Sequence, residues 1–105
     1  MAWTYLLIAA VFEVGWAIGL KYAQGFTKPV PSALTLVAMI ASLFFLALAV
    51  RTIPVGTGYA VWTGIGAVGT ATLGVILFAE PVTVWRVLCL ALIVGGVVGL
   101  KFTAS

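Results

Sequence analysis

The run AWTYLLIAAVFEVGWAIGL, Ala2 to Leu20, is apolar along its length and carries a single charged residue, Glu13. As a helix rising 1.5 Å per residue it is roughly 28 Å long, which matches the hydrocarbon core of a bilayer. Glu13 lies between halfway and two-thirds across. An ionised acid at that depth costs about 3 kcal/mol or more on insertion scales. The next positive charge, Lys21, is two helical turns away at the membrane edge. Glu13 is therefore expected to face a protein interior or a wet cavity and to find its partners on other helices.

The rest of the chain reads the same way. Of its 105 residues, 65% are hydrophobic and 7% charged, and the mean hydropathy is +1.34; soluble domains carry about 25% charged residues. The expectation is an all-α integral membrane protein, a single four-helix membrane domain over residues 1–105. The first run is not read as a signal peptide, because it lacks a basic n-region, holds a glutamate and is followed by three more apolar runs. A net charge of +3 from so few groups gives no reason to expect nucleic-acid binding. With no histidine and one cysteine, Cys89, the sequence offers no metal cluster, redox pair or disulfide. No cofactor and no metal are expected, and no nucleophile and base set supports an enzyme.

Leu20 to Pro31 closes the first helix. Lys21 and Lys28 sit at the interface, Gly25 can take a left-handed cap, and Pro29 and Pro31 oppose helix continuation. Ser32 is expected to cap a second run, Ala33 to Val50, with Ser42 about midway. The Ser42 hydroxyl has two candidate partners: its own helix's carbonyl, the default for a membrane serine, or a group on a neighbouring helix. Arg51 to Pro54 makes the second turn. The third run, Val55 to Ala79, holds six of the twelve glycines. In lipid such density permits close backbone approach, and Gly64 with Gly66 is a natural place to bend. Tyr59 and Trp62 share a face one turn earlier. They belong either to an interfacial aromatic belt or to a site, and their depth inside the helix favours the site. Glu80 reads as a solvated loop acid. The fourth run, Val82 to Leu100, has Arg86 near its start and Lys101 at its end, both able to snorkel. Gly95 and Gly99, with Gly96 beside them, and Gly15 and Gly19 on the first run form small-xxx-small ridges suited to helix packing.

Four spans place both termini on one side, with Arg51 and Lys101, against Lys21, Lys28 and Arg86 on the other. Two against three is nearly a tie under the positive-inside rule, which permits insertion in both orientations and pairing of opposed copies. Such a homodimer doubles the walls of a thin bundle and brings two Glu13 carboxylates toward one cavity. Protons and a cation compete for them, which with alternating exposure suffices for antiport. Opposed copies also supply the inverted repeat that larger transporters carry within one chain. On the first helix Glu13 shares a face with Ala9, Ala10, Trp16 and Ala17. The Trp16 indole N–H donates only and is suited to holding a carboxylate. Ser42, Tyr59 and Trp62 add donors and π-faces if the second and third helices pack there.

These residues resemble the small multidrug resistance family, in its guanidinium-exporter branch. The resemblance covers all four spans. Its most specific parts are Phe12-Glu13-Val14-Gly15-Trp16-Ala17, Leu20-Lys21-Tyr22 with Gly25-Phe26, Pro54-Val55-Gly56-Thr57, and the run from Tyr59 to Gly66. It implies an antiparallel homodimer in the bacterial inner membrane, with Glu13 as the shared proton and substrate site and Tyr59 and Trp62 lining the pocket. Pairing of Trp16 and Ser42 with Glu13, and Lys101 after the last helix, are features of the guanidinium branch. Dimer packing on the fourth helix maps to Cys89 and Gly96, seven residues apart, beside Gly95; Cys89 stands where the family often has glycine. Ala10 and Gly58 also depart from the usual pattern, and both bear on clearance near Glu13. Guanidinium, a planar and weakly hydrated cation, matches a carboxylate through a fork of N–H donors. The alternatives are an exporter of quaternary ammonium or other lipophilic cations in the same family, a dual-topology channel, and a non-transporting assembly subunit.

Overall fold

The computed structural model describes residues 1–103. It consists of four helices, α1 Ala2–Ala23, α2 Pro29–Ala49, α3 Val55–Phe78 and α4 Val84–Thr103. Each is long and apolar enough to cross a membrane, and there is no strand among the described residues.

The expected runs are all present, and the ends of three need correction. The helix α1 continues to Ala23 and is capped by Gln24, not Gly25; Gln24, Gly25 and Phe26 all have positive φ, at 49°, 71° and 66°. Ala23 O then accepts from the amides of both Thr27 and Lys28, which fixes the turn. The helix α2 begins at Pro29 with Lys28 as its cap residue, so the prolines start the helix instead of excluding it. Amides in a first helical turn have no intrahelical acceptor, and proline loses nothing there. Ser32 therefore sits inside the first turn, where its amide bonds Lys28 O at 3.0 Å. The helix α4 starts two residues later than expected. There Thr83 Oγ1 accepts the Arg86 amide at 3.1 Å, as an N-capping threonine does.

The helix α1 is central, packing on both α2 and α3, while α4 packs its backbone against α3 and has no buried residue. The molecule measures 43 × 35 × 16 Å, so its thin dimension is about one and a half helix diameters. The ridge expected on α1 packs against α2: Gly15 faces Ala38, and a Cβ on Gly19 would collide with Thr35 Oγ1. Thr35 is buried, and its hydroxyl donates to Pro31 O at 2.7 Å. Toward the terminal end, Leu6, Ala9, Ala10, Ala49, Ile53, Val61 and Trp62 form the core. Phe45 of α2 stacks on Tyr5 and Phe12 of α1, each at 6.1 Å between ring centroids. Lys21 Nζ lies 5.4 Å from the centre of the Phe78 ring, and Lys101 Nζ lies 5.7 Å from that of Trp3. Those contacts place the end of α1 beside the end of α3, and the start of α1 beside the end of α4, as the alternating path requires.

Candidate functional site

The site forms where α1 crosses α3. A Cβ built on Gly66 would overlap the Glu13 carboxyl, and one on Gly69 would meet Val14. The two glycines let consecutive α1 side chains lie directly on the α3 backbone. Gly64, on another face of the same turn, is covered by Val97 and Ile93 of α4. The helix α3 is unbroken through both Gly64 and Gly66, and each has a packing role besides the bend expected of the pair.

Glu13 Oε1 is buried there, and among the described residues it has no hydrogen-bond partner. Trp16 Nε1 is likewise buried and unpartnered. The expected arrangement, with Trp16 and Ser42 donating to Glu13, is not formed within the chain. Ser42 Oγ instead donates to Ala9 O at 2.7 Å. Trp62 Nε1 donates to Ser42 Oγ at 3.0 Å and reaches Ala9 O at 3.3 Å. Of the two partners open to Ser42, the cross-helix one is correct. Its acceptor is backbone one turn before Glu13 because Ser42 is level with Ala9, and a helix carbonyl retains a lone pair for a second donor.

This network ties three helices together at one atom. Ala9 O lies on α1, Ser42 on α2 and Trp62 on α3, and in an α-helix Ala9 O is also the acceptor for the Glu13 amide. Ser42 and Trp62 thus fix the backbone that carries the acid while leaving its carboxyl free. Tyr59 lies against Trp62, with ring centroids 5.6 Å apart and planes at 50°, and is 57% exposed. Its face and hydroxyl remain available outside the chain. Cys89 is exposed, and nothing lies within 4 Å of a Cβ built on Gly95, Gly96 or Gly99. Those positions are open in the single chain.

Two features were not anticipated from the sequence. One is the Ala9 carbonyl, which as backbone leaves no compositional trace. The other concerns Glu80, which is not a free solvated acid: Arg86 Nη2 donates to Glu80 Oε1 at 2.7 Å. Its signal was opposite charge six residues apart across a proline turn. No cluster of three or more metal-ligating acids, histidines or cysteines occurs among the described residues.

Comparison with known proteins identifies the family. Residues 1–93 match the family described as Small Multidrug Resistance protein. A protein named guanidinium exporter from Yersinia pseudotuberculosis serotype I (strain IP32953) is 57% identical over 104 residues, covering 99% of this chain and all of that protein (100%). A guanidinium exporter from Citrobacter freundii is 56% identical over 103 residues, 98% of each chain. One from Proteus vulgaris is 50% identical over 104 residues, 99% of this chain and 100% of its own. With its four membrane-length helices and a lone acid seated on a glycine of α3, the chain belongs to the small multidrug resistance family.

Proposed function

We propose that the chain exports guanidinium in exchange for protons across the bacterial inner membrane, working as an antiparallel homodimer in which the Glu13 carboxylates of both copies are the shared site. The observation that carries this is the Glu13 carboxyl, held at membrane depth with a buried, unbonded oxygen. A buried polar group without a partner is unstable enough to need one, and a cation or a proton supplies it. The bacterial relatives named guanidinium exporter support the choice of substrate.

The chemistry follows from the groups present. A deprotonated Glu13 accepts two parallel N–H donors from a planar guanidinium, and its protonated form cannot bind the cation so. Each proton bound therefore releases substrate, and each substrate bound requires the acid to be free. The indole N–H of Trp16, buried and unpartnered within the single chain, is a donor without a lone pair to offer the cation, so it can serve a carboxylate only once a second copy completes the site. Tyr59, exposed and packed against the buried Trp62, provides a face for a flat cation. Family membership and the residues of the site both fit a membrane transporter, not an enzyme.

The need for a second copy comes from shape. A slab 16 Å thick cannot enclose a pathway, and α4 presents Cys89, Gly95 and Gly96 without a covering element. A second copy packed there supplies the missing walls.

Purified protein in liposomes with an imposed proton gradient tests the reading, with guanidinium and a tetraalkylammonium ion offered separately. Guanidinium movement coupled to opposing proton flux is the expected result. Preference for the quaternary ammonium ion would assign the chain to drug export, and flux above about 10⁴ per second without coupling would make it a channel, since that exceeds ordinary turnover.

A further inference from the structure

The α3–α4 connection folds back on α3 and delivers an acid and a guanidinium group to the open end of the α1/α3 cleft. Ala79 turns the chain with φ 52°. The Glu80 amide then returns to Gly74 O at 3.4 Å, and the Glu80 carboxyl settles where a Cβ on Gly74 would be. Arg86 reaches back from the first turn of α4, with Nη2 on Glu80 Oε1 at 2.7 Å and Nη1 on Pro81 O at 3.3 Å. Only one carboxylate oxygen is engaged: Glu80 Oε2 has no hydrogen bond among the described residues. The Arg86 and Glu80 side chains are 30% and 40% exposed.

This pair lines a cavity of about 360 Å³ between α1 and α3, whose walls include Ala17, Thr70, Gly74 and Lys21. Ala17 is one turn beyond Glu13 on the same face of α1, and Thr70 is one turn beyond Gly66 on α3. The cavity therefore begins about 6 Å along the helix axis from the Glu13 carboxyl and ends at Glu80. Its inner walls are small side chains apart from Ile18. Lys21, the other charged group at its outer end, is turned over the Phe78 ring.

We propose that Glu80 is a peripheral guanidinium-binding site at the mouth of this cleft, occupied at rest by the Arg86 guanidinium, which a substrate guanidinium displaces on its way to or from Glu13. The proposal rests on guanidinium as the substrate and extends that reading to a second carboxylate. Glu80 already binds the functional group in question. A free ion makes the same contact and adds a second at Oε2, completing the bidentate fork that Arg86 leaves half-formed. Partly exposed ion pairs are weak, so exchange is facile, and the released Arg86 extends its stem to the interface. Lys21 and Arg86 together outnumber Glu80, which keeps residence brief and suits a site of passage.

The test silences the deep site with Glu13→Gln and follows line broadening of isotope-labelled guanidinium by NMR. Weak binding is expected in that variant, about fivefold tighter binding once Arg86→Gln removes the exposed competing pair, and none once Glu80→Gln is added instead. A purely structural ion pair predicts that Arg86→Gln and Glu80→Gln, which break the same contact, behave alike; equal binding in the two overturns the proposal. In the chain with Glu13 intact, Glu80→Gln is expected to raise the KM for guanidinium in liposomes without changing equilibrium affinity at Glu13, and an unchanged KM also overturns it. Absence of guanidinium transport by the unaltered protein would overturn the functional reading and this proposal together, whereas transport with indistinguishable Arg86 and Glu80 variants overturns this proposal alone.

Discussion

The carboxyl group of Glu13 on α1 lies directly against the backbone of Gly66 on α3, in the space that a side chain at residue 66 would need. The acid's position is thus set by an absence on the facing helix as much as by its own rotamer. Such contacts are unforgiving, because a packed helix pair adjusts to an added methyl only by moving side chain or backbone.

Gly66→Ala is accordingly expected to displace the carboxyl and weaken guanidinium binding by about tenfold, the equivalent of roughly 1.4 kcal/mol. Gly64→Ala serves as the comparison, since its methyl meets Val97 and Ile93 of α4 and not the acid. It should disturb α3–α4 packing with a smaller effect on affinity. Titration of both purified variants distinguishes them, and equal losses would mean that the glycines act only through helix packing.

Glu13→Gln keeps the size of the side chain and removes its charge. The variant is expected to lose guanidinium binding at the deep site and the proton release that accompanies it, while still inserting and assembling. Proton release is read in weakly buffered solution on addition of substrate, with assembly checked by cross-linking. Coupled transport surviving in this variant would place the shared site elsewhere.

Ser42 and Trp62 act on Glu13 through the Ala9 carbonyl, so their loss should be felt in stability and geometry together. Ser42→Ala is expected to cost about 1 kcal/mol, the usual size for a removed hydrogen bond. Trp62 Nε1 keeps its longer 3.3 Å contact to Ala9 O in that variant. Because the two side chains share one acceptor and bond each other, Ser42→Ala with Trp62→Phe should cost less than the sum of the single changes. A double-mutant cycle on thermal unfolding measures this, and strict additivity would dissolve the network.

How far the sequence was legible follows from which groups leave a trace in it. Glu13 was conspicuous because a carboxylate in an apolar run violates the energetics of its solvent, and the four spans follow from length and hydropathy alone. The roles of Ser42 and Trp62 were only half legible. Residue type shows that a hydroxyl and an indole need partners, but not that a backbone carbonyl at Ala9 is nearer than the acid one turn on. Pro29 and Pro31 misled for a local reason: proline both ends and begins helices, and only the position of the first free amides decides between them. Glu80 was misjudged because a turn of several residues must be built before the reach of Arg86 is known.

The arrangement of two chains is the remaining expectation that one experiment can settle. Cation–π contacts of Lys21 with Phe78 and of Lys101 with Trp3 put these two lysines at opposite ends of the bundle, as the two-against-three split of the five basic residues requires. Short connections of this kind are where the positive-inside rule acts, and one charge there decides little. Adding a single lysine beside Arg51, or beside Lys28, should bias insertion in opposite senses. Each biased variant expressed alone is expected to lose most transport, because its copies share one orientation and the exposed Cys89–Gly95–Gly96 face of α4 cannot meet an inverted partner. Expressing the two variants together should restore it. Reporters fused at the C-terminus read the orientations, and cross-linking through engineered cysteines on α4 reads the pairing. If the unaltered chain inserts in one orientation only, or if one biased variant alone keeps full activity, the opposed dimer and its two-carboxylate site are both wrong.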